Sequence, residues 1–209
     1  MKLHQLIETE IQPSVLPNTK WYHCGPEFEQ FSTAFLGSGE NNHLLGHGIY
    51  FINNSVIAQR YAKYVKSGKP VLYEVQLKGA SNSDFYCSRN RPPEQQAQAL
   101  NKIAKMLGYD DYRSVKYSHS AMKHGRGMVG AVFAHFGSQK GAQVLIEHGI
   151  RGQFEDIGYD GLFELAVWDM SMLQVISKEK LPETEAANTK ANPDIDAWWD
   201  EMMKSEHPL

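Results

Sequence analysis

The hydrophobic and polar positions of this chain predict short strands separated by helices. Alternation with a period of two is clearest from Pro70 to Gly79, where every second residue is apolar, as in a strand with one buried face. Compact runs of β-favouring residues predict further strands near both ends of the chain. The predicted strands are 21–23, 49–51, 70–79, 162–169 and 174–176.

Helical spacing begins after the second of these strands and returns in the second half of the chain. Ser55 is a predicted N-cap, and apolar residues follow it at helical intervals as far as Val65. Ser138 is a second predicted N-cap, and Gly108 is a predicted C-cap. The interval 149–161 is predicted to be a loop. The predicted helices cover 55–65, 93–107, 128–135 and 138–148.

Length and composition predict one α+β domain followed by a tail. With 209 residues and 42% hydrophobic content, the chain is long enough for one full core. The domain is predicted over 1–181, and its segment at about 85–140 is predicted to be a helical insertion that forms an accessory lobe. Residues 182–209 begin as a polar linker and contain Trp198 and Trp199. Two adjacent tryptophans are expected to dock, either on the domain or in a groove of a partner protein.

Charge and cysteine content narrow the class of protein. The net charge of -3 and the pI near 6.3 argue against a protein dedicated to coating nucleic acid. Two cysteines are too few for a disulfide framework. The sequence has neither an N-terminal apolar run of signal-peptide length nor an apolar window of membrane-spanning length. We therefore expect a cytoplasmic protein with no membrane partner, or one delivered into a target cell without a cleaved signal peptide.

Three polar aromatic side chains are predicted to converge on one cleft. His23 lies in the first predicted strand, Tyr50 in the second, and Tyr61 in the helix that follows. Taken singly, such residues are most often packing residues. Together, rings on two strands and a helix can hold a flat, neutral ring between aromatic faces. Tyr64 is the main alternative to Tyr61 in this role.

Two other chemistries are less well supported by the spacing. His43 and His47 are four residues apart, which suits a metal on a helix, but the glycines around His47 disfavour a helix. A third ligand at suitable spacing is missing from the sequence, so no metal is expected. Cys24 has no obvious activating partner in the sequence, and a structural thiol is favoured over a nucleophile.

The motifs around these residues resemble one enzyme family. W-Y-H-x-G stands at 21–25, G-x-G-I-Y-F at 46–51 and A-x-x-Y-A at 58–62. An acid, Glu164, follows at the start of a late predicted strand. In this order the motifs resemble the ADP-ribosyltransferases of the H-Y-E type, which include diphtheria-toxin-like enzymes and poly-ADP-ribose polymerases, and most of all the small bacterial and phage domains. The resemblance spans 20–181 and implies an α+β core of two packed, mainly antiparallel sheets with an NAD cleft and flanking helices.

The resemblance implies that NAD is the substrate and assigns roles within the cleft. His23 would hydrogen-bond a ribose hydroxyl, and Tyr50 and Tyr61 would sandwich the nicotinamide ring. Family members commonly have glycine directly after the histidine, where the backbone grips the nicotinamide carboxamide. Cys24 stands there in this chain and Gly25 follows, so either residue can form that clamp. The predicted NAD-binding residues are His23, Cys24, Gly25, Tyr50, Phe51, Ala58 and Tyr61.

Glu164 is the predicted catalytic acid, with His23 and Tyr50 as its catalytic partners. Cleavage of the bond between nicotinamide and ribose develops positive charge on the ribose, which a carboxylate bonded to the 2′-hydroxyl can stabilise. Glu155 and Asp169 are the alternative acids.

Target recognition is assigned to the loop before Glu164. In the family this loop approaches the acceptor, so Tyr159 and Asp160 are predicted target contacts, although a Gly-Tyr-Asp-Gly turn can be purely structural. Enzymes that modify arginine often have Glu or Gln two residues before the catalytic acid, and Leu162 at that position disfavours an arginine acceptor. The stretch 116–126 is locally basic and suits either a phosphate backbone or a solvated face. Tyr112, just before this stretch, and Tyr117 and His119 within it are the ring side chains that could stack on bases.

Three functions remain open from the sequence. The first is a mono-ADP-ribosyltransferase that modifies a protein or nucleic acid, acting as a toxin, an effector or an enzyme of phage conflict. The second is an NAD glycohydrolase, which shares every NAD-site residue. The third is a catalytically inactive transferase fold that binds a nucleotide or a partner. For a toxin or effector, the tail at 182–209 would bind an inhibitor, an antitoxin or a delivery protein.

Overall fold

A computed structural model of the chain describes residues 16, 19–36, 45–66, 68–87, 92–115, 127–157, 161–182 and 197. Over this part, the protein is an α+β fold with one mixed sheet of seven strands and four α-helices. The strands are β1 (Trp21–Gly25), β2 (Ile49–Ile52), β3 (Val71–Leu77), β4 (Phe85–Tyr86), β5 (Gly152–Asp156), β6 (Phe163–Val167) and β7 (Leu173–Lys180). The helices are α1 (Ser55–Arg60), α2 (Glu94–Met106), α3 (Gly127–Phe136) and α4 (Ser138–Glu147).

The sheet has the strand order β4-β5-β6-β2-β1-β3-β7. Every neighbouring pair is antiparallel except β4 and β5, which are parallel. The resemblance implies two packed sheets, whereas hydrogen bonds join these seven strands into one. The joint between β1 and β2 is narrow, because Tyr22 opposite Ile52 is the one register pair between these two described strands. The sheet therefore has two parts, β4-β5-β6-β2 and β1-β3-β7, that meet at this joint.

Side chains from both parts of the sheet share the main hydrophobic core. Trp21 on β1 and Phe154 on β5 have ring centroids 6.3 Å apart with the rings at 87°. Their strands are three positions apart in the sheet order, so this contact joins the two parts of the sheet in one core. Fully buried members of this core include Trp21, Tyr73, Val75, Phe154 and Leu165.

Three helices cover the main core. In α2, Leu100, Ile103 and Ala104 are buried, and Gly108 follows the helix with φ +83°. The insertion predicted over about 85–140 does not form a separate lobe in its described residues. It begins with a strand of the sheet, β4, and its helices pack into the same core as β1 and β3. α3 and α4 contribute Val129, Val132, Phe133, Ala142 and Leu145 to that core.

A smaller apolar cluster on the other face of the sheet holds α1. The helix begins after Asn54, whose side-chain oxygen accepts a hydrogen bond from the Ile57 backbone N–H at 3.1 Å. The N-cap is therefore Asn54 rather than the predicted Ser55. The helix continues as a 3-10 turn over Tyr61–Tyr64 and ends before Val65. The cluster consists of Cys24, Ile52, Ile57, Ala58, Ala62, Leu72, Leu162 and Leu181.

Three further details differ from the sequence prediction. β5 lies in the interval 149–161, which is predicted to be a loop, because Phe154 is the one large apolar residue of the strand and pairing with β4 and β6 decides its conformation. β7 is an edge strand with mostly exposed side chains, whereas the sequence predicts a core strand there. α4 begins after Gly137, which has φ +77°, so Ser138 is the first helical residue and not the N-cap.

Candidate functional site

The candidate site lies where β1 and β2 separate. Beyond the pair Tyr22 and Ile52 the two strands share no further register pair in this described region, and the side chain of His23 reaches across to β2. Its Nδ1 lies 2.9 Å from the backbone oxygen of Tyr50. Because a carbonyl oxygen can only accept, Nδ1 carries the proton and donates it. Nε2 of the neutral ring is then an acceptor.

The surroundings of His23 favour this neutral ring. Burial lowers the pKa of His23, and this effect outweighs the hydrogen bond to Tyr50, which raises it. Aromatic rings surround the imidazole and restrict its rotation. A neutral ring with a fixed tautomer offers Nε2 to an O–H donor such as a sugar hydroxyl. The surrounding rings are Phe28, Phe31, Phe51 and Tyr73, with centroids 5.7 to 6.2 Å from that of His23.

Phe51 supports His23 from the side of the core. Its side chain is 1% exposed and contacts the imidazole and Phe31. Phe51 therefore packs in the core beside His23 and holds the imidazole in place. Tyr73 also contacts the imidazole. Its position is fixed because its hydroxyl donates to the Pro26 carbonyl at 3.0 Å and accepts from the Phe28 N–H at 2.9 Å.

Cys24 and Gly25 lie on opposite faces of β1. The Cys24 side chain is buried in the smaller apolar cluster, and burial raises the pKa of its thiol to about 12. The thiol therefore stays protonated at neutral pH, which favours the structural role over the nucleophile. Gly25 lies on the same face as His23, and a Cβ added to it would stand 2.6 Å from Nε2. Glycine at this position therefore allows the backbone of β1 to approach the imidazole closely.

The contact between Gly25 and His23 gives a prediction about stability that does not depend on function. Gly25→Ala should lower the free energy of unfolding by about 1–3 kcal/mol, because the added methyl overlaps a ring that cannot move freely. In a His23→Ala background the same change should cost much less, because the overlapping ring is gone. Denaturant unfolding of the four proteins measures both costs. Equal costs in the two backgrounds would show that the methyl group added at position 25 does not contact the imidazole.

Tyr50 closes the loop that precedes β2. Its hydroxyl donates to the Gly46 carbonyl at 2.8 Å and accepts from the Leu45 N–H at 3.0 Å. Burial raises the pKa of Tyr50 well above its ordinary value, and the negative charge of Glu164 raises it further. The phenol is therefore neutral throughout the physiological pH range.

The same loop is packed against α3 and α4. His47 stacks on Phe133, with centroids 5.1 Å apart and an interplanar angle of 14°, and its Nδ1 is hydrogen-bonded to the Ser138 hydroxyl. Gly46 has φ +84°, and a Cβ added there would stand 2.4 Å from the Phe133 ring. The Gly-His-Gly sequence is thus explained by close packing of the loop on the core. The ring contact and the hydrogen bond of His47 attach this loop to α3 and α4, and the hydrogen bonds of the Tyr50 hydroxyl attach it to β2.

Glu164 lies in a row of paired residues that crosses the joint. Tyr22 on β1 is opposite Ile52 on β2, Ile52 is opposite Glu164 on β6, and Glu164 is opposite Glu155 on β5. Opposed residues of antiparallel strands share a face, so Glu164 lies on the same face as Tyr50. With strands about 4.8 Å apart, the Glu164 backbone is about 10 Å from that of Tyr22, the neighbour of His23.

The structure thus brings the predicted residues together in two sets that meet at Tyr50. Tyr50, Tyr61 and Glu164 are close enough for the charge of Glu164 and the hydroxyl of Tyr61 to act on the Tyr50 phenol. His23 lies on the opposite face of the sheet, where its ring packs on Phe31, Phe51 and Tyr73, and it contributes to the joint through its hydrogen bond to the Tyr50 backbone oxygen. The imidazole and the carboxylate therefore approach from different faces at one joint, an arrangement that the sequence does not reveal.

Tyr61 and Tyr64 occupy the same 3-10 turn but differ in burial. Tyr61 is half-buried and packs against the smaller apolar cluster, whereas Tyr64 is 40% exposed. Their ring centroids are 6.3 Å apart, and the Lys63 ammonium lies 5.0 Å from the Tyr64 centroid. Ala58 is 1% exposed, so it packs beneath α1 and shapes the site through the backbone. This placement favours Tyr61 as the inner ring and Tyr64 as a rim residue.

The two alternative acids have different surroundings. Asp169 pairs with Arg151 at 2.7 Å and caps a 3-10 turn through Ser171. Burial alone would raise the pKa of Asp169, but the hydrogen bonds from Ser171 and Arg151 outweigh it and lower the pKa. Asp169 is therefore an ionised structural acid. Glu155 is 3% exposed and lies directly opposite Glu164, so it belongs to the site.

Several predicted residues lie outside the part of the chain that the structure describes. These are the target-recognition pair Tyr159 and Asp160, the basic stretch 116–126, His43, and the tryptophans of the tail at 182–209. Within the described residues, no three His, Cys, Asp or Glu side chains form a group that could hold a metal ion. The described helices include none that is long and apolar enough to cross a lipid bilayer.

Comparisons with models of known families, with curated proteins and with solved structures find no match to this chain. The function of the protein is therefore inferred from the sequence motifs and from the geometry at the joint between β1 and β2.

Proposed function

We propose that this protein is an NAD-dependent mono-ADP-ribosyltransferase of the H-Y-E type, with an ADP-ribosyltransferase-like fold and a protein or nucleic acid as acceptor. One observation carries the proposal: His23 and Glu164, separated by most of the chain, both act on Tyr50. His23 donates to the Tyr50 carbonyl at 2.9 Å, and the charge of Glu164 raises the pKa of the Tyr50 phenol. Packing of a sheet does not by itself require an imidazole, a phenol and a carboxylate at one joint.

The chemistry of these groups suits NAD as a substrate. Tyr50 and Tyr61 provide aromatic surface for the nicotinamide ring, and Nε2 of His23 accepts a hydrogen bond from a ribose hydroxyl. Glu164 offers a carboxylate to the ribose on which positive charge develops, and such electrostatic stabilisation is worth about 3 kcal/mol.

Within this proposal the protein acts as a toxin or effector that modifies a macromolecule. NAD labelled in its adenylate moiety tests this function. After incubation with total cellular protein or total cellular RNA, label in either macromolecular fraction supports transfer. Release of free labelled ADP-ribose alone indicates an NAD glycohydrolase. Intact NAD in every sample contradicts both enzymatic functions and leaves a nucleotide- or partner-binding module.

The two tyrosines of the 3-10 turn provide a matched prediction for NAD binding. Tyr61→Ala should weaken NAD binding by about tenfold, because loss of a stacking partner and its buried area costs about 1–1.5 kcal/mol. Tyr64→Ala should change the dissociation constant by less than about twofold, because Tyr64 lies at the exposed rim. Isothermal titration calorimetry of the two variants measures this difference. The reverse order would exchange their roles.

A further inference from the structure

β5 places two buried polar side chains beside the proposed site. Gln153 is 0% exposed and Glu155 is 3% exposed. The Gln153 Nε2 donates to the Glu155 carboxylate at 3.2 Å. By register, Gln153 lies opposite Ala166 and Glu155 lies opposite Glu164, so both share the face that carries Tyr50. The sequence prediction treats this interval as a loop and therefore does not find the pairing.

The pairing of β5 with β6 brings two carboxylates together. Glu155 and Glu164 lie directly opposite each other on these neighbouring strands. Burial has the largest effect on the pKa of the Tyr50 phenol and raises it. The negative charges of Glu164 and Glu155 raise this pKa further. Both carboxylates therefore face the region around Tyr50, where the substrate is proposed to bind.

Gln153 supplies a second and independent sign of a ligand. Its Nε2 is used by Glu155, and its Oε1, on the other arm of the same amide, is buried and has no hydrogen-bond partner in the described part of the chain. A buried acceptor without a partner is costly unless a donor arrives with a ligand or a water. An N–H or O–H group placed beside Glu155 would supply that donor.

We propose that Glu155 is the general base of this site and that Gln153 is its positioning residue. This inference rests on the proposed transferase function. When the acceptor's nitrogen or oxygen forms a bond to C1′ of the ribose, the bond from C1′ to nicotinamide breaks and its electron pair leaves with nicotinamide. The acceptor must then lose the proton that it carried, and the Glu155 carboxylate receives it before passing it to solvent. Atoms and charge balance without another reactant.

The position of Glu155 suits a general base that is separate from Glu164, the carboxylate assigned to the ribose. In the row that crosses the joint, Glu164 lies between Ile52 and Glu155, so Glu155 is one strand further from β1 and His23. Glu164 is next to the residues assigned to NAD, and Glu155 lies on the far side of it, at about 4.8 Å between strands. One carboxylate can therefore bind the ribose while the other approaches the acceptor.

Glu155→Gln tests the assignment, because it keeps the shape of the side chain and removes the proton acceptor. With adenylate-labelled NAD and total cellular protein and RNA in separate arms, transfer under single-turnover conditions should fall by about 100-fold or more. The dissociation constant for NAD should change by less than about threefold, since Glu155 does not contact NAD in this scheme. The pH profile of the variant should lack the rise in rate that ionisation of a base gives the unmodified protein.

Two further variants separate catalysis from structure. Glu155→Ala should regain part of its transfer rate when formate is added, because a small carboxylate can replace the missing base, whereas a folding defect would not respond. Gln153→Met should lower the transfer rate with little change in NAD affinity, because it releases the carboxylate without removing it. Circular dichroism and thermal unfolding check that each variant is folded.

The outcomes distinguish this inference from the function on which it rests. If the unmodified protein transfers label and Glu164→Gln does not, but Glu155→Gln transfers at the unmodified rate, the general-base role is overturned and the transferase function stands. An equal loss of NAD binding and transfer in Glu155→Gln, or the absence of rescue by formate, also overturns it. An unmodified protein that leaves NAD intact overturns both.

Discussion

Glu164→Gln should leave the fold intact and reduce release of nicotinamide from NAD by about 100-fold to 1,000-fold, the range expected when one preorganised electrostatic contact to a transition state is lost. The substitution keeps the size of the side chain and its hydrogen-bonding capacity but removes the negative charge that faces the developing ribose cation. Because the charge matters mainly in the transition state, NAD affinity should change much less than the rate. Release of radiolabelled nicotinamide measures the effect.

Glu179→Gln provides the matched control for this substitution. Glu179 is an exposed acid on the edge strand β7, far in strand order from β6, so its change removes one negative charge without altering the site. We expect nicotinamide release by this control within about twofold of the unmodified rate, since surface substitutions away from a site have small effects. If Glu164→Gln and Glu179→Gln both release nicotinamide at the unmodified rate, Glu164 is not the catalytic acid.

Gly46→Ala should destabilise the protein by about 2–5 kcal/mol, because it combines a left-handed backbone conformation with an overfilled core. Gly46 has φ +84°, and the added Cβ would lie 2.4 Å from Phe133 and 2.8 Å from Val129. Both neighbours are buried and cannot move aside. Denaturant unfolding monitored by circular dichroism measures the loss.

Gly68→Ala separates the two causes of that loss. Gly68 has a similar φ of +77°, but an added Cβ meets nothing within 4 Å, so only the backbone strain of about 1–2 kcal/mol applies. The difference between the two variants is the packing contribution. Equal costs would show that the loop does not press on Phe133. Since the Tyr50 hydroxyl bonds the Gly46 carbonyl, a displaced loop should also weaken NAD binding.

The elements that local pattern determines were predictable from the sequence. β3 and α2 have strong periods of two and 3.6 residues, and the structure forms a strand and a helix in these two segments. β5 could not be found in this way, because Phe154 alone carries its apolar signal and its neighbours β4 and β6 come from distant parts of the chain. The contact of Trp21 with Phe154, which joins the two parts of the sheet in one core, likewise has no local signature.

The candidate site divides in the same way. Motif order places His23, Tyr50, Tyr61 and Glu164 in the expected elements, and the structure brings them to one joint. The sequence does not reveal that the imidazole spans a gap between strands, because this depends on where the register of β1 and β2 ends. It also does not reveal the pairing of Glu155 with Glu164, since register follows from tertiary contacts.

A crystal structure of the Glu164→Gln variant with NAD shows directly whether NAD binds at the joint between β1 and β2. The substitution slows turnover, so that intact NAD can be observed. We expect the nicotinamide ring between Tyr50 and Tyr61, and a ribose hydroxyl within about 3.2 Å of the His23 Nε2. Residue 164 should face the nicotinamide-bearing ribose. NAD bound away from the joint between β1 and β2, or a complex in which Nε2 of His23 contacts only protein atoms, would contradict the proposed site.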